Sequence, residues 1–166
     1  MLKIRQATEF DVEGITNLFY ETIQNINRKD YSQEEIDDWS SWRNDVEKWK
    51  AGILEQYFVI VQLKDKVVGF ASIAKDGYLD FMFTHKDFQR KGIAKTMLAE
   101  LEKIALQQKN DCIYSDVSIT AKDFFLSQGY SVEKQQLKKS REKELINFRM
   151  IKRLKISEGL KTNAST

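Results

Sequence analysis

The chain has 166 residues, 42% of them apolar and 31% charged, with 27 basic residues against 25 acidic ones. That length suits one domain with a full hydrophobic core. A net charge of +2 argues against a general nucleic-acid binder, no stretch approaches a membrane span, and a single cysteine, Cys112, leaves no internal disulfide. With His85 as the only histidine there is little from which to build a metal site or a cysteine–histidine pair. Cys112, in the apolar run Cys112-Ile113-Tyr114, therefore reads as a buried structural thiol. Met1–Arg5 has neither a long apolar stretch nor a cleavage pattern, so a cytoplasmic protein is expected.

Leu2–Ala7 alternates apolar with polar and predicts an opening strand. Thr8, with Asp11 three residues on, caps a helix whose apolar face carries Val12, Ile15, Leu18, Phe19, Ile23 and Ile26. Asn25–Asp30 is polar and loop-like. Ser32 and Glu35 form a second capping box, opening a short helix through Ile36 and Trp39. A third helix is expected over about Asn44–Leu54, with Val46, Trp49 and Ile53 facing inward. Tyr57–Leu63 is almost continuously apolar and reads as a strand buried on both faces. Val67–Ala74 returns beside it after the turn Lys64-Asp65-Lys66, and Asp76-Gly77 turns the chain into a third strand, Tyr78–Phe83. A helix over Ile93–Leu106 and a strand over Cys112–Val117 then complete a strand–helix–strand crossover whose strands should pair in parallel. Thr120 is placed as the cap of a short helix, Ala121–Ser127, ended by Gly129. Two late strands, Tyr130–Leu137 and Glu144–Arg153, flank the charged turn Lys138–Lys143. One domain over residues 1–154 is expected, with a frayed tail at 155–166.

Within this order, Gln89-Arg90-Lys91-Gly92-Ile93-Ala94 is the most informative segment. A strand, a basic turn with one glycine and a helix N-terminus together make a phosphate-holding device. The first-turn N–H groups have no partners inside the helix, and the helix dipole favours an anion there. Gly92 lets the backbone approach a pyrophosphate closely. With one glycine and no following Gly-Lys-Ser/Thr, it is neither a dinucleotide fingerprint nor a P-loop.

The segment resembles the Gln/Arg-x-x-Gly-x-Gly/Ala motif of the GNAT superfamily of N-acetyltransferases. The strand before it, Leu79-Asp80-Phe81-Met82-Phe83-Thr84, the helix ending in Gly129-Tyr130, and the run Phe148-Arg149-Met150 resemble other parts of that family in the same order. The resemblance covers about residues 2–154. It implies an α+β fold in three layers, α/β/α, with a mixed, mostly antiparallel central sheet, a splayed parallel strand pair and flanking helices. It further implies acetyl-CoA as co-substrate and a primary amine as acceptor. Backbone amides over Gln89–Ala94 would hold the pyrophosphate, with Arg90, Lys91 and Lys95 reaching further phosphates. The pantetheine arm would lie along Met82, Phe83 and Thr84, and a main-chain N–H near Met82 would face the thioester carbonyl.

Acetylation needs a neutral amine, so a proton acceptor is expected near that strand. Asp80 interrupts an apolar strand two residues before Met82 and shares its face by alternation, which makes it the first candidate, with a carboxylate hydrogen-bonded to a neighbouring loop as its alternative role. Asp116, at the end of the Cys112–Val117 strand, is the second, with an ordinary strand-end cap as its alternative role. Many family members carry a tyrosine where this chain has Phe125, so the departing thiolate would take its proton from water, Tyr78 or Tyr114. Ser118 stands where an asparagine often meets the cofactor arm. Tyr20, Tyr31, Trp39, Trp42 and Trp49, close in sequence to Glu34, Glu35, Asp37 and Asp38, either form aromatic and acidic walls for a cationic amine or serve as core with acids on the solvent face. The basic run Lys134–Arg141 reads as a solvated edge. A small-molecule acceptor is favoured, because Asn25–Leu54 is long enough to wall a pocket. A protein lysine or N-terminus, or a catalytically weak CoA-binding module, are the alternatives. Neither a metal, a nucleic acid nor a membrane is expected as a partner, and a homodimer is left open.

Overall fold

The computed structural model describes residues 1–155. Its first sheet contains β1 (Leu2–Gln6), β2 (Tyr57–Leu63), β3 (Lys66–Ile73) and β4 (Leu79–Thr84), in that spatial order and antiparallel throughout. A second sheet holds β5 (Cys112–Ser118), β6 (Ser131–Lys139) and β7 (Glu144–Arg153) in the order β5-β7-β6, with β7 between its two antiparallel neighbours. The expected parallel pairing of the third strand with the Cys112–Val117 strand is reduced to a single bridge, Tyr78 to Tyr114. Beyond it β4 and β5 part. The buried Ser115 hydroxyl donates to Leu79 O at 2.7 Å, so a side chain satisfies one carbonyl at the point where the ladder stops.

Helices cover both faces of the first sheet. The strand β2 sends Phe58 and Ile60 into a core with Ile15, Phe19, Ile36 and Trp49 from α1 (Val12–Asn25), α2 (Gln33–Ser40) and α3 (Val46–Glu55). Its alternate residues Val59 and Val61 enter a core with Met97, Leu98 and Leu101 of α4 (Ile93–Gln107) and Phe125 of α5 (Lys122–Ser127). This two-sided burial is the physical reason for the continuous apolar run in Tyr57–Leu63.

The two capping boxes form as expected: the Thr8 N–H donates to Asp11 at 2.7 Å, and Ser32 and Glu35 exchange bonds of 2.8 and 3.1 Å. The first box opens a short 3-10 turn, Glu9–Asp11, ahead of α1. Three local expectations are corrected. Val46 is 42% exposed rather than inward, and α3 docks instead through Trp49, which is 4% exposed. Thr120 does not cap α5, because its hydroxyl donates to Asp30 at 2.8 Å; the Ser118 hydroxyl accepts the Ala121 N–H in its place. Cys112 is half-buried, at the start of its strand, rather than buried. Of the expected tail, residues 156–166 lie outside the described residues. No helix among the described residues is long and apolar enough to cross a membrane.

The placement of α4 rests on a close approach to β3. A Cβ on Gly69 would stand 2.8 Å from Ile93 Cγ2 and 3.1 Å from the Met97 thioether, so the first turns of the helix sit directly on the strand backbone. Gly69→Val is expected to lift this end of α4 and destabilise the fold by about 1–3 kcal/mol, read as a lower urea midpoint.

Candidate active site

The parting of β4 and β5 opens a cleft of about 980 Å³. Its orientation follows from the ladder. His85 N–H donates to Val68 O at 2.9 Å, whereas Thr84 O turns the other way and accepts from Thr22 Oγ1 at 3.0 Å and Gln89 Nε2 at 2.8 Å. Peptide groups in an antiparallel pair alternate between facing the partner and facing away. Met82, opposite Ala71, is therefore in phase with Thr84, and its N–H and C=O point to the edge from which β5 has diverged. One further irregularity shapes this strand. Phe81 pairs with Ser72 and Leu79 with Ile73, so Asp80 is the extra residue of a β-bulge.

At one end the cleft meets the start of α4. Gly92 is the N-cap with φ +80°, Arg90 also has positive φ at 58°, and no side chain caps the helix. The N–H groups of Ile93, Ala94 and Lys95 thus lack a capping partner. A Cβ on Gly92 would meet nothing within 4 Å, so this backbone faces open space. Arg90, Gly92, Ile93, Ala94 and Lys95 all line the cleft. Gln89 lines it too, but its side-chain amide is used on Thr84 O and His85 O, where it braces the end of β4. Lys91 does not line the cleft, and its ammonium lies 5.4 Å from the centre of the Phe88 ring. Uncapped amides, an open glycine and flanking cations fit a diphosphate.

Asp80, Met82, Phe83 and Thr84 line the middle of the cleft from β4, and Asp116 and Ser118 from β5. Phe125 lies on the wall, 3% exposed and edge-on to Tyr130, a packing residue with no proton to give. Asp80 accepts from Gln56 Nε2 at 2.9 Å. Asp116 is in a different state. Its side chain is 5% exposed, and it accepts from Arg149 Nε at 2.7 Å, Gln136 Nε2 at 2.8 Å, the Tyr78 hydroxyl at 3.2 Å, and Lys138. Burial alone would raise its pKa, but Arg149 and Lys138 hold the carboxyl well below the usual carboxylate range. A carboxylate so placed is an anchor for two cations, which argues against the proton-accepting role weighed for it from the sequence.

Of the two tyrosines considered as proton donors, only Tyr78 lines the cleft. Burial, with the charges of Asp116 and Asp80 beside it, raises the Tyr78 phenol well above its ordinary value, so it stays protonated. Tyr114 is turned to Asp76, and that hydrogen bond, with burial, pushes its pKa up to about 12.

The far end is walled by Trp39, Trp42, Trp49 and Phe81. Trp49 stacks on Phe81 at 4.7 Å, and Trp39 meets Tyr31 edge-on at 5.7 Å, so these aromatics serve as core and wall together. Of the two readings, acids beside the aromatics or acids turned away from a core, the engagement of the acids fits the second. Glu35 caps α2, Asp37 accepts from Gln24 and Gln33, and Glu34 pairs with Lys143. Asp38 takes the backbone N–H groups of Arg141, Glu142 and Lys143 at 2.9–3.2 Å, and so ties the β6–β7 turn to α2. The Tyr31 hydroxyl makes a second tie, accepting from Ile119 N–H at 2.9 Å and donating to Ile146 O at 2.7 Å. These ties and the Lys138 and Arg149 pairs were not foreseen, whereas the Gln56–Asp80 contact is of the kind weighed as the alternative role of Asp80. The only sequence signal was the acidic and basic residues themselves, which read equally well as solvated charges.

Residues 27–153 match the family model described as the acetyltransferase (GNAT) domain. The chain belongs to the GNAT acetyltransferase family and is an N-acetyltransferase by class. It is 27% identical to the uncharacterized N-acetyltransferase YafP of Escherichia coli K12, over 90% of this chain and 94% of the relative. A GCN5-related N-acetyltransferase structure from Rhodopseudomonas palustris superposes with a TM-score of 0.89 at 27% identity, covering 92% of this chain and 95% of that one. The PaiA N-acetyltransferase of Thermoplasma acidophilum, in complex with coenzyme A, has the same fold, with a TM-score of 0.78 at 22% identity, covering 92% and 99%.

The Asp116 cluster has a stability consequence with a definite sign. A carboxylate whose folded pKa lies below its unfolded value of 3.8 stabilises the fold fully above that value, and the contribution is lost as pH falls below it. Asp116→Asn is expected to lower stability at neutral pH by about 2–3 kcal/mol, with the gap to the unmodified protein narrowing below about pH 4, as read from urea midpoints across pH.

Proposed function

We propose that the protein transfers the acetyl group of acetyl-CoA to the primary amine of a small molecule by direct attack in a ternary complex. The observation that carries this reading is the opening between β4 and β5 beside an uncapped, glycine-led helix start, with the Met82 N–H on the open edge. The amides of Ile93–Lys95 with Arg90 and Lys95 hold the diphosphate, and the arm of the donor runs along Met82–Thr84 as a stand-in for the missing strand partner. The cofactor-bound structure of the PaiA relative supports the same donor. A small acceptor is supported by the two ties that fasten the β6–β7 turn over the aromatic end of the cleft.

In the reaction Asp80 takes the proton of the ammonium, and the freed nitrogen forms a bond to the thioester carbon. The Met82 N–H donates to the carbonyl oxygen as negative charge gathers on it, where a preplaced donor has its largest effect. The C–S bond then breaks with the electron pair on sulfur. The nitrogen loses its second proton as the amide forms, and that proton reaches the thiolate through water or through the Tyr78 hydroxyl, which gives one proton to sulfur and takes this one in exchange, since Phe125 has none. Asp116 holds Tyr78 and the late strands in place rather than exchanging protons.

Asp80→Asn is expected to lower kcat by about 10²–10⁴-fold. Coenzyme A binding by the Asp80 variant should be unchanged in calorimetry. Binding without acetyl transfer to any amine in a broad panel would overturn the enzymatic reading and leave a CoA-binding module. Gly92→Val strains a left-handed position, so it is expected to weaken coenzyme A binding by about tenfold and to reduce thermal stabilisation by coenzyme A accordingly.

A further inference from the structure

The two ends of the acceptor region carry opposite hydrogen-bonding character. At the inner end Gln56 gives its amide N–H to Asp80. Its Oε1 thereby stays without a donor among the described residues, and two acceptors stand side by side. The rim is the reverse. Lys48 Nζ lies 3.6 Å and Arg141 Cζ 4.0 Å from the centre of the Trp42 ring, and neither forms an ion pair among the described residues. Lys48 and Trp42 line the main cleft. Arg141 lines an adjoining depression that shares Trp42, Lys139 and Ser140 with it.

Arg141 is held at the rim by its own backbone. Its N–H donates to Asp38 at 2.9 Å, within the clamp that fastens the β6–β7 turn to α2. Of the nearby acids, Glu34, Glu35 and Asp37 are engaged elsewhere, while Asp38 and Glu142 line the depression with Arg141, where three backbone N–H groups take up the Asp38 carboxylate. Lys138 and Lys139 add positive charge beside it, and Asp116 is already matched by Lys138 and Arg149. A second cationic group on the acceptor would be repelled here, since Trp42 already carries two cations. An anion finds two unpaired donors, one of them a guanidinium suited to carboxylate or phosphate.

Building on the acetyl-transfer reading, we propose that the acceptor amine also carries an anionic group, seated by Lys48 and Arg141 at Trp42, with its amine reaching inward to Asp80 and Gln56. The substrate class is thus an amine with a carboxylate or phosphate at its other end, and not a polyamine.

The test is calorimetric binding to the full chain saturated with coenzyme A, so that it does not depend on turnover. Phenylalanine is compared with 2-phenylethylamine, and phosphoethanolamine with ethanolamine. The anion-bearing member of at least one pair is expected to bind about tenfold tighter or more, and which pair responds separates carboxylate from phosphate. Replacing both cations, Lys48→Ala with Arg141→Ala, should abolish the preference without altering coenzyme A binding. Lys48→Glu with Arg141→Glu should turn it toward 1,4-diaminobutane. Equal or tighter binding of the members without an anionic group, no binding of either, or a preference that survives the double alanine variant would overturn the proposal. Selective binding with no acetyl transfer would instead refute the catalytic reading and leave this one standing.

Discussion

The molecule is organised around a hydrogen-bond ladder that stops after one bridge. Tyr78 and Tyr114 pair, Ser115 closes one carbonyl with its hydroxyl, and beyond that β4 and β5 separate. Unpaired backbone groups are costly when buried, so a gap of this kind persists only where solvent or a ligand can reach it. The fold supplies such access by placing the gap on the line where its two sheets meet. Everything else about the site is arranged relative to this opening: the helix start at Gly92 lies at one end, and the aromatic wall from α2 and α3 at the other.

A second device is the bulge in β4. A regular strand would oppose each residue to one partner, but Ile73 and Ser72 are matched to Leu79 and Phe81, which leaves Asp80 over. The extra residue is released from the ladder at the point where β5 departs, and Gln56 at the end of α3 holds its carboxylate. Gly69 performs the matching task for α4, since only a residue without Cβ lets Ile93 and Met97 sit against β3 and bring the helix start to the edge of the opening.

Charge is distributed with similar economy. Asp116 gathers Arg149 and Lys138 from the two late strands and accepts from Tyr78, so one buried carboxylate joins the second sheet to the start of β4. Asp38 and Tyr31 fasten the early helices to the late strands across the far end of the cleft. These contacts link residues about a hundred positions apart, and they decide which charges face the acceptor region and which are consumed in holding it shut.

Local chemistry was enough to place most elements. Capping boxes at Thr8 and Ser32, the turns at Lys64 and Gly77, the two-sided apolar run of β2 and the glycine-led start of α4 each depend on neighbours within a few residues, and they read directly from the chain. The family resemblance was also legible along the chain, because its four motifs, from Leu79–Thr84 to Phe148–Met150, stand in the same order as in the family. What failed were the features set by partners far away in sequence. Val46 faces out because Trp49 docks the helix, and Thr120 is drawn off by Asp30. Alternation along β4 could not reveal the bulge, since a bulge is defined only against the opposing strand. Asp116 looked like a candidate base until tertiary structure put Arg149 and Lys138 upon it. The sequence by itself thus determined the elements, the family and the glycine-led turn before α4. Only the tertiary structure decided which carboxylate is held by two cations and which cations form no ion pair among the described residues, because a charge takes its role from the groups that folding brings against it.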